Sequence, residues 1–256
     1  MRIVQLSDLH LRPGLLYSGI DPWAAWQAAL DRVAGLSPPA DLLLLTGDLA
    51  DDAAPATYRR LVESLRAAGY PHAVLPGNHD DPAALRAAFA DQAWSHPALA
   101  CQRVDHAEFS LLLLDSVIAG EEGGRFANDH LAWLDRHCPG QRRVLLALHH
   151  PPLAVGIAGM DAIACAGGER LAAWLAGRPN VEALLCGHVH RLICSTLAGR
   201  PLLTAPSTVH QIALQDGPLA YTVEPGGLLV HDWEAGQTMR THYLPLAAAP
   251  VVAYPA

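Results

Sequence analysis

Five short polar motifs combine carboxylate and imidazole side chains at spacings that could hold metal ions. Asp8 and His10, like His188 and His190, are two residues apart, so on an extended strand each pair would face one site. Oxygen and imidazole ligands without thiolates suit Mn²⁺, Fe²⁺, Zn²⁺ or Co²⁺ better than Ca²⁺ or Mg²⁺. The motifs are Asp8-Leu9-His10, Gly47-Asp48, Gly77-Asn78-His79-Asp80, His149-His150-Pro151-Pro152 and Gly187-His188-Val189-His190.

The number of candidate ligands exceeds the needs of one ion. Seven side chains could bind metal: Asp8, His10, Asp48, Asn78, His149, His188 and His190. They suffice for two ions if Asp48 bridges both, and paired divalent ions are a common device for phosphoester hydrolysis. Only one of His149 and His150 can point inward along an extended segment. We assign the ligand to His149 and leave His150 as the alternative.

Each motif follows an apolar run that predicts a strand, so an α/β protein is expected. In open α/β sheets, ligands bind beyond the carboxyl ends of the strands, and the motifs are therefore expected to converge. One helix is predicted to begin at Pro22 with Asp21 as its N-cap, and a second to span 55–68 and end at Gly69. Further helices are predicted after Pro82, Asn128 and Gly168. The predicted strands span 3–6, 41–45, 72–75, 109–114, 143–148 and 181–186.

From Arg191 onward, short β-like runs alternate with Gly and Pro, and they predict a small β-rich C-terminal appendage. The runs are 219–223, 228–233 and 239–243. We therefore divide the chain into a catalytic core over 1–190 and a β-rich segment over 191–256 that completes the core and contributes to oligomer contacts. The apolar stretch from Pro245 is expected to pack on its own chain or on a neighbour.

Composition excludes several classes of protein. The chain has 256 residues, 51% of them hydrophobic and 16% charged, which is typical of a folded protein rather than a disordered one. A net charge of -8 argues against nucleic acid as a partner. No apolar stretch is long enough to span a membrane and no signal pattern follows Met1, so we expect a cytoplasmic protein with no membrane partner. Five scattered cysteines indicate neither disulfides nor a zinc ribbon.

The ordered motif set, over roughly residues 1–210, resembles the calcineurin-like metallophosphoesterase superfamily. Residues 160–165 and 206–211 are similar to the class III cyclic nucleotide phosphodiesterases and, more closely, to the bacterial glycerophosphodiesterases of that class. The resemblance implies a four-layer α/β/β/α sandwich and at least a dimer. It also implies a binuclear centre in which a hydroxide held between two ions attacks phosphorus.

The resemblance further implies a role for each matching residue. One ion would take Asp8, His10, Asp48 and His190, and the other Asp48, Asn78, His149 and His188. Asp48 and His79 would be catalytic, with His79 contacting the substrate phosphate rather than a metal. The implied substrate contacts are Asn78, His79, His210, Tyr17, Ser116 and Cys165.

The expected activity is metal-dependent hydrolysis of small organic phosphodiesters of the glycerophosphodiester kind, with broad specificity. The motifs equally allow a 3′,5′-cyclic nucleotide phosphodiesterase, which would use the same metals. A binding module that has lost catalysis is a remoter alternative, and the intact ligand set argues against it. A nuclease would need a basic channel, which the charge balance does not supply.

Overall fold

The computed structural model describes residues 1–107, 109–234, 236–247, 249–250 and 252. Its helices are α1 (Pro22–Ala34), α2 (Pro55–Ala68), α3 (Pro82–Ala88), α4 (Asn128–His137), α5 (Ala158–Asp161) and α6 (Gly168–Ala176). Its strands are β1 (Arg2–Leu6), β2 (Leu42–Thr46), β3 (His72–Leu75), β4 (Gln102–Asp105), β5 (Phe109–Leu114), β6 (Gly124–Arg125), β7 (Arg143–Leu148), β8 (Cys165–Ala166), β9 (Val181–Cys186), β10 (Ile193–Leu197), β11 (Arg200–Thr204), β12 (Gln211–Ile212), β13 (Tyr221–Thr222), β14 (Gly227–Asp232) and β15 (Arg240–Pro245).

Two larger sheets form the centre of the molecule. The first has the order β15-β14-β1-β2-β3 and the second the order β10-β11-β9-β7-β5-β4. Strands β1, β2 and β3 run parallel in the first sheet, and β5, β7, β9 and β11 run parallel in the second. Their carboxyl ends therefore lie at common sheet edges, as the positions of the polar motifs require.

Alternate side chains of the central strands belong to different apolar layers. In β2, Leu43 and Leu45 pack with residues of α1 and α2, whereas Leu42 and Leu44 face the second sheet. In β7, Leu146 packs against α4 and α6 on the opposite outer face. This alternation, which follows from the two-residue period of a strand, builds the predicted α/β/β/α sandwich.

Local sequence signals set the helix ends. The Asp21 carboxylate accepts hydrogen bonds from the amides of Trp23 and Ala24, and Pro22 occupies the first turn of α1. Gly69 ends α2 at a φ of 77°, a left-handed conformation that glycine adopts at little cost. The predicted beginnings of these helices are confirmed.

The strands of the C-terminal segment join both large sheets. β14 pairs with β1 and β15 with β14, while β10 and β11 extend the second sheet. β12 and β13 form a separate pair. Part of the apolar stretch after Pro245, namely residues 248, 251 and 253–256, lies outside the described residues. Within the described part of the chain, no helix combines the length and apolar character needed to cross a membrane.

Candidate metal centre

The five polar motifs meet in loops that follow β1, β2, β3, β7 and β9. The strands of both sheets end beside each other, and the loops continue the hydrogen bonding between them. The amide of Asp8 donates to the Gly47 carbonyl at 3.0 Å, and the amide of His10 donates to the Asp48 carbonyl at 2.9 Å. The amide of Gly187 donates to the His149 carbonyl at 2.9 Å. These bonds fix the loops relative to one another.

The first group of candidate ligands contains Asp8, His10, Asp48 and His190. One ligand atom from each lies within 4.8 Å of the others, and all four residues are buried. The His10 Nε2 atom lies 3.0 Å from His190 Nε2 and 3.7 Å from Asp48 Oδ2. These are the four residues that the resemblance assigns to one ion.

The second group surrounds Asn78. The Asn78 Oδ1 atom lies 3.2 Å from His149 Nε2 and 3.0 Å from His188 Nδ1. His149 Nε2 also lies 3.4 Å from Asp48 Oδ2, so Asp48 stands between the two groups. This position is the one that a bridging ligand requires.

Five of the predicted ligands have an uncommon backbone conformation. Asp8, His10, Asp48, His188 and His190 all have positive φ, between 46° and 71°. The expectation that each pair sits on an extended strand is therefore wrong, because β1 ends at Leu6 and β9 at Cys186. Tight turns rather than strand alternation bring the paired side chains together. Such conformations cost free energy and concentrate at functional sites.

Two glycines permit the close approach of the ligands. A Cβ atom on Gly47 would lie 2.3 Å from His149 Nδ1, and one on Gly77 would lie 2.2 Å from Asp48 Oδ1. Gly47 also has a φ of 93°, which a residue with a side chain rarely adopts. Both positions therefore require glycine for the geometry of the centre.

Hydrogen bonds at the far side of two rings show which nitrogen is free to bind metal. His190 Nδ1 donates to the His210 carbonyl at 3.0 Å, and His10 Nδ1 donates to the Asp51 carboxylate at 3.1 Å. Both acceptors need the proton on Nδ1, so in the neutral rings the two Nε2 atoms carry lone pairs that face each other. A cation between them satisfies both, and this donor set fits a divalent metal ion.

The second group shows the same arrangement. His149 Nδ1 donates to the Thr46 carbonyl at 2.8 Å, and His188 Nε2 donates to the Ile163 carbonyl at 3.1 Å. The remaining nitrogens of both rings point at Asn78 Oδ1, which is also an acceptor. Once both rings are neutral, as metal binding requires, three lone pairs converge on one point, and this arrangement again fits a cation.

The structure distinguishes His149 from its neighbour. His150 Nδ1 accepts the hydroxyl of Ser116 at 2.8 Å, and His150 Nε2 donates to the Glu122 carbonyl at 3.1 Å. Both nitrogens of His150 are therefore occupied, although its ring lies near His149 and His188. Burial lowers the pKa of His150 well below its ordinary value, so the ring is neutral. Its contacts are those of a residue that supports the ligand loops.

Burial and mutual charge shift the protonation of the ligands. Burial raises the pKa of Asp8 to about 6. Burial opposes protonation of His149, but the Asp48 and Asp8 carboxylates and the Thr46 carbonyl together raise its pKa to about 9. Without a metal ion, Asp8 and His149 therefore tend to hold protons, and metal binding would release these protons.

Asp51 connects a candidate ligand with His79, and the sequence interpretation did not single it out. Its Oδ1 atom lies 3.1 Å from His10 Nδ1 and 3.3 Å from His79 Nδ1. The His79 amide donates to Asp48 Oδ1 at 2.9 Å, which fixes the backbone beside the centre. Burial opposes protonation of His79, but the hydrogen bond to Asp51 and the charge of Asp48 raise its pKa to about 9. His79 is therefore a cation at neutral pH.

Asp80 holds two of the loops together and was also missed as a separate residue. Its buried carboxylate accepts hydrogen bonds from the amides of Leu49, Ala50 and Gly77 at 2.9–3.0 Å. It also accepts the Tyr58 hydroxyl at 2.9 Å. The last residue of Gly77-Asn78-His79-Asp80 therefore ties the loop after β3 to the loop after β2.

A cavity of about 240 Å³ opens above the two groups. Its lining includes Tyr17 and His210, whose side chains meet through a 2.7 Å hydrogen bond between the Tyr17 hydroxyl and His210 Nε2. Ser116 and Cys165, two expected substrate contacts, are buried and are absent from the described lining. The remaining residues of the described lining are His10, Asp48, Asp51, Asn78, His79, Glu122, Met160, Ile163, His188, His190, Ile212 and Leu219.

The sheets and the ligand groups are those of a phosphoesterase, and the chain belongs to the calcineurin-like phosphoesterase family, whose profile matches residues 1–192. Members of this family use a binuclear centre of divalent metal ions. The chain is 33% identical over 254 residues to a probable glycerophosphodiester phosphodiesterase, GpdQ, of Arcobacter nitrofigilis, covering 94% of this chain and 92% of that protein.

Two further similarities bear on the fold and the family. The chain is 37% identical over 218 residues to the 3′,5′-cyclic adenosine monophosphate phosphodiesterase CpdA of Escherichia coli K12, covering 82% of this chain and 77% of that protein. A dimetal phosphatase from Danio rerio superposes with a TM-score of 0.72 at 16% identity, covering 96% of each chain. At that identity the superposition shows a shared fold.

Proposed function

We propose that the protein is a phosphodiesterase of small organic diesters, of the glycerophosphodiester kind and with broad specificity. The observation that carries the proposal is the pair of ligand groups on either side of Asp48, beneath an open cavity. The similarity to a protein named as a probable glycerophosphodiester phosphodiesterase supports this choice of substrate.

In the proposed centre, Asp8, His10, Asp48 and His190 would hold one ion, and Asp48, Asn78, His149 and His188 the other. The oxygen and imidazole donors suit Mn²⁺, Fe²⁺, Zn²⁺ or Co²⁺. When bound, such a pair supplies an activated water and neutralises charge on the phosphate oxygens. The histidines are held ready for this task, because the far nitrogen of each ring already donates to a fixed acceptor.

His79 would act on the substrate rather than on a metal. Its side chain lines the cavity and is 42% exposed, whereas Asp51 holds its Nδ1 atom. The Nε2 proton can then be directed toward a phosphate oxygen or toward the leaving alkoxide. In this assignment Asn78, His210 and Tyr17 are further substrate contacts, because all three line the cavity.

A 3′,5′-cyclic nucleotide phosphodiesterase is the second candidate. The similarity to Escherichia coli CpdA over 82% of this chain supports it. The aromatic ring of Tyr17 at the cavity also supports it, since a base could stack there. The ligand groups serve both reactions equally.

One experiment separates the two. We would measure kcat/KM of the Mn²⁺-loaded protein for glycerophosphoethanolamine and for 3′,5′-cAMP, with a chelator-treated sample as control. We expect the glycerol diester to be preferred at least ten-fold, and activity to be lost on chelation. A ten-fold preference for cAMP would instead assign the second function, and activity that survives chelation would contradict the metal-dependent proposal.

An assembly of at least two chains and a cytoplasmic location stay predictions. Light scattering tests the first, since a mass near 27.2 kDa at micromolar concentration would contradict it.

A further inference from the structure

The mouth of the cavity is built from aromatic and aliphatic side chains. Tyr17 is 70% exposed, yet its hydroxyl is held by His210 at 2.7 Å and its ring centroid lies 5.0 Å from that of Tyr221. The Tyr221 ring also lies 5.2 Å from His210. Leu219, which precedes Tyr221 by two residues, lines the same cavity and is 48% exposed. An exposed ring held at its hydroxyl is a preorganised recognition surface.

The charge at this mouth is negative. Neither arginine nor lysine occurs in the cavity lining that the structure describes. Among the lining carboxylates, Asp48 belongs to the ligand groups and Asp51 is engaged by His10 and His79. Glu122 is exposed and forms no ion pair with any described residue. It is therefore a carboxylate at the cavity whose charge is available to a ligand.

Aromatic faces together with a free carboxylate form the combination that proteins use to recognise alkylammonium groups. A second anionic group at the mouth would meet no arginine or lysine of the described lining and would be repelled by Glu122, while His79 lies deeper, beside the ligand groups. A phosphodiester with an ammonium on one alcohol places its anion over the two ligand groups, at the floor of the cavity, and its cation toward the mouth. The two ends of the cavity thus match the two charges of one zwitterionic molecule.

We infer that Glu122, with the Tyr17 and Tyr221 rings, selects diesters in which the alcohol esterified to the phosphate carries an ammonium group. The inference rests on the proposed phosphodiesterase activity and goes beyond it by naming the part of the substrate that the mouth recognises. Glu122 acts on binding of the alcohol half and takes no part in the bond-breaking step.

The test compares two substrates of the same shape and different charge. One is glycerophosphocholine, and the other is its uncharged analogue, in which 3,3-dimethylbutanol replaces choline. We would measure kcat and KM for both with the Mn²⁺-loaded wild-type protein, Glu122→Gln and Glu121→Gln. Glu121 is the matched control, because it is the exposed neighbouring carboxylate and is absent from the described lining of the cavity.

We expect the wild-type protein to prefer the choline diester, and Glu122→Gln to reduce that preference about five-fold, mainly through KM. Glu121→Gln should keep the wild-type preference, and Tyr221→Leu should reduce it in the same direction as Glu122→Gln. Equal kcat/KM for the two wild-type reactions, or the same preference in both glutamine variants, would overturn the inference while leaving the proposed function intact. If the protein hydrolyses neither of the two diesters nor cAMP, the proposed function itself is overturned.

Discussion

The floor and the mouth of the cavity differ in burial, chemistry and origin in the fold. The floor consists of the two ligand groups, which are buried except for the half-buried Asn78. Hydrogen bonds between loops of both sheets fix them. The mouth consists of the lining residues Tyr17, Leu219 and Glu122, together with Tyr221, whose ring packs against Tyr17. All four are exposed, and they lie on the loop after β1, the β12–β13 segment and the loop before β6. From this difference we expect reaction chemistry and substrate choice to reside in separate parts of this chain.

The largest effect should come from the residue shared by both ligand groups. We expect Asp48→Asn to lower kcat/KM by more than about 100-fold, because losing a ligand exceeds the usual 10–100-fold cost of losing a supporting contact. Metal content, measured by elemental analysis, should fall together with activity. The exposed Asp91 provides the control, since Asp91→Asn should retain both. Full metal content in Asp48→Asn would show that Asp48 does not bridge.

A slightly smaller effect is expected at His79, which stands at the edge of the floor. We expect His79→Ala to lower kcat about 100-fold, the ordinary contribution of a proton donor, while both ions remain bound. The pKa of about 9 places its loss of charge at alkaline pH. The wild-type rate should therefore fall as pH rises through about 9, and this limb should disappear in the variant. Loss of metal from His79→Ala would show instead that His79 is a metal ligand.

The close approach of loops within the floor can be disturbed without removing a ligand. In Gly77→Ala the new methyl group would meet Asp48 Oδ1 and the Asp48 amide, so we expect about 2 kcal/mol of destabilisation. Thermal unfolding and elemental analysis would measure the loss of stability and of metal. Gly140→Ala is the control, because its methyl group would meet open space. Equal unfolding temperatures for the two variants would show that the loop has room to move.

The smallest effect should come from the mouth. We expect Tyr221→Ala to raise KM about five-fold while kcat changes little, because an aromatic contact contributes about 0.5–1.5 kcal/mol. Steady-state kinetics with glycerophosphoethanolamine would measure both constants. A fall in kcat comparable with that of His79→Ala would show that the separation between floor and mouth does not hold.

The sequence predicted the strands that carry the floor because their signals are local. Apolar runs followed by Asp, Asn or His located β3, β5, β7 and β9 with the bounds that the structure has. Strand direction then required the motifs to meet at one edge. The structure brings Asp8, His10, Asp48 and His190 together, and it places Asn78 between His149 and His188. That these side chains bind metal stays a prediction.

The supporting residues could not be predicted, because their roles depend on how separate loops meet. Asp51 serves His10 and His79 from a third loop, and nothing in its local sequence indicates either contact. The left-handed turns at the ligands were missed for the same reason, since the strand period suggested extended backbone. Spacing alone likewise could not show that Ser116 faces His150 instead of the cavity.

The central claim is that the strand-end loops bind two ions around Asp48. The most direct measurement is the number of Mn²⁺ ions bound per chain at saturation, in the wild-type protein and in Asn78→Ala. We expect two ions in the wild-type protein and weaker binding of one of them in the variant. A single ion in the wild-type protein, or identical binding in Asn78→Ala, would contradict the claim.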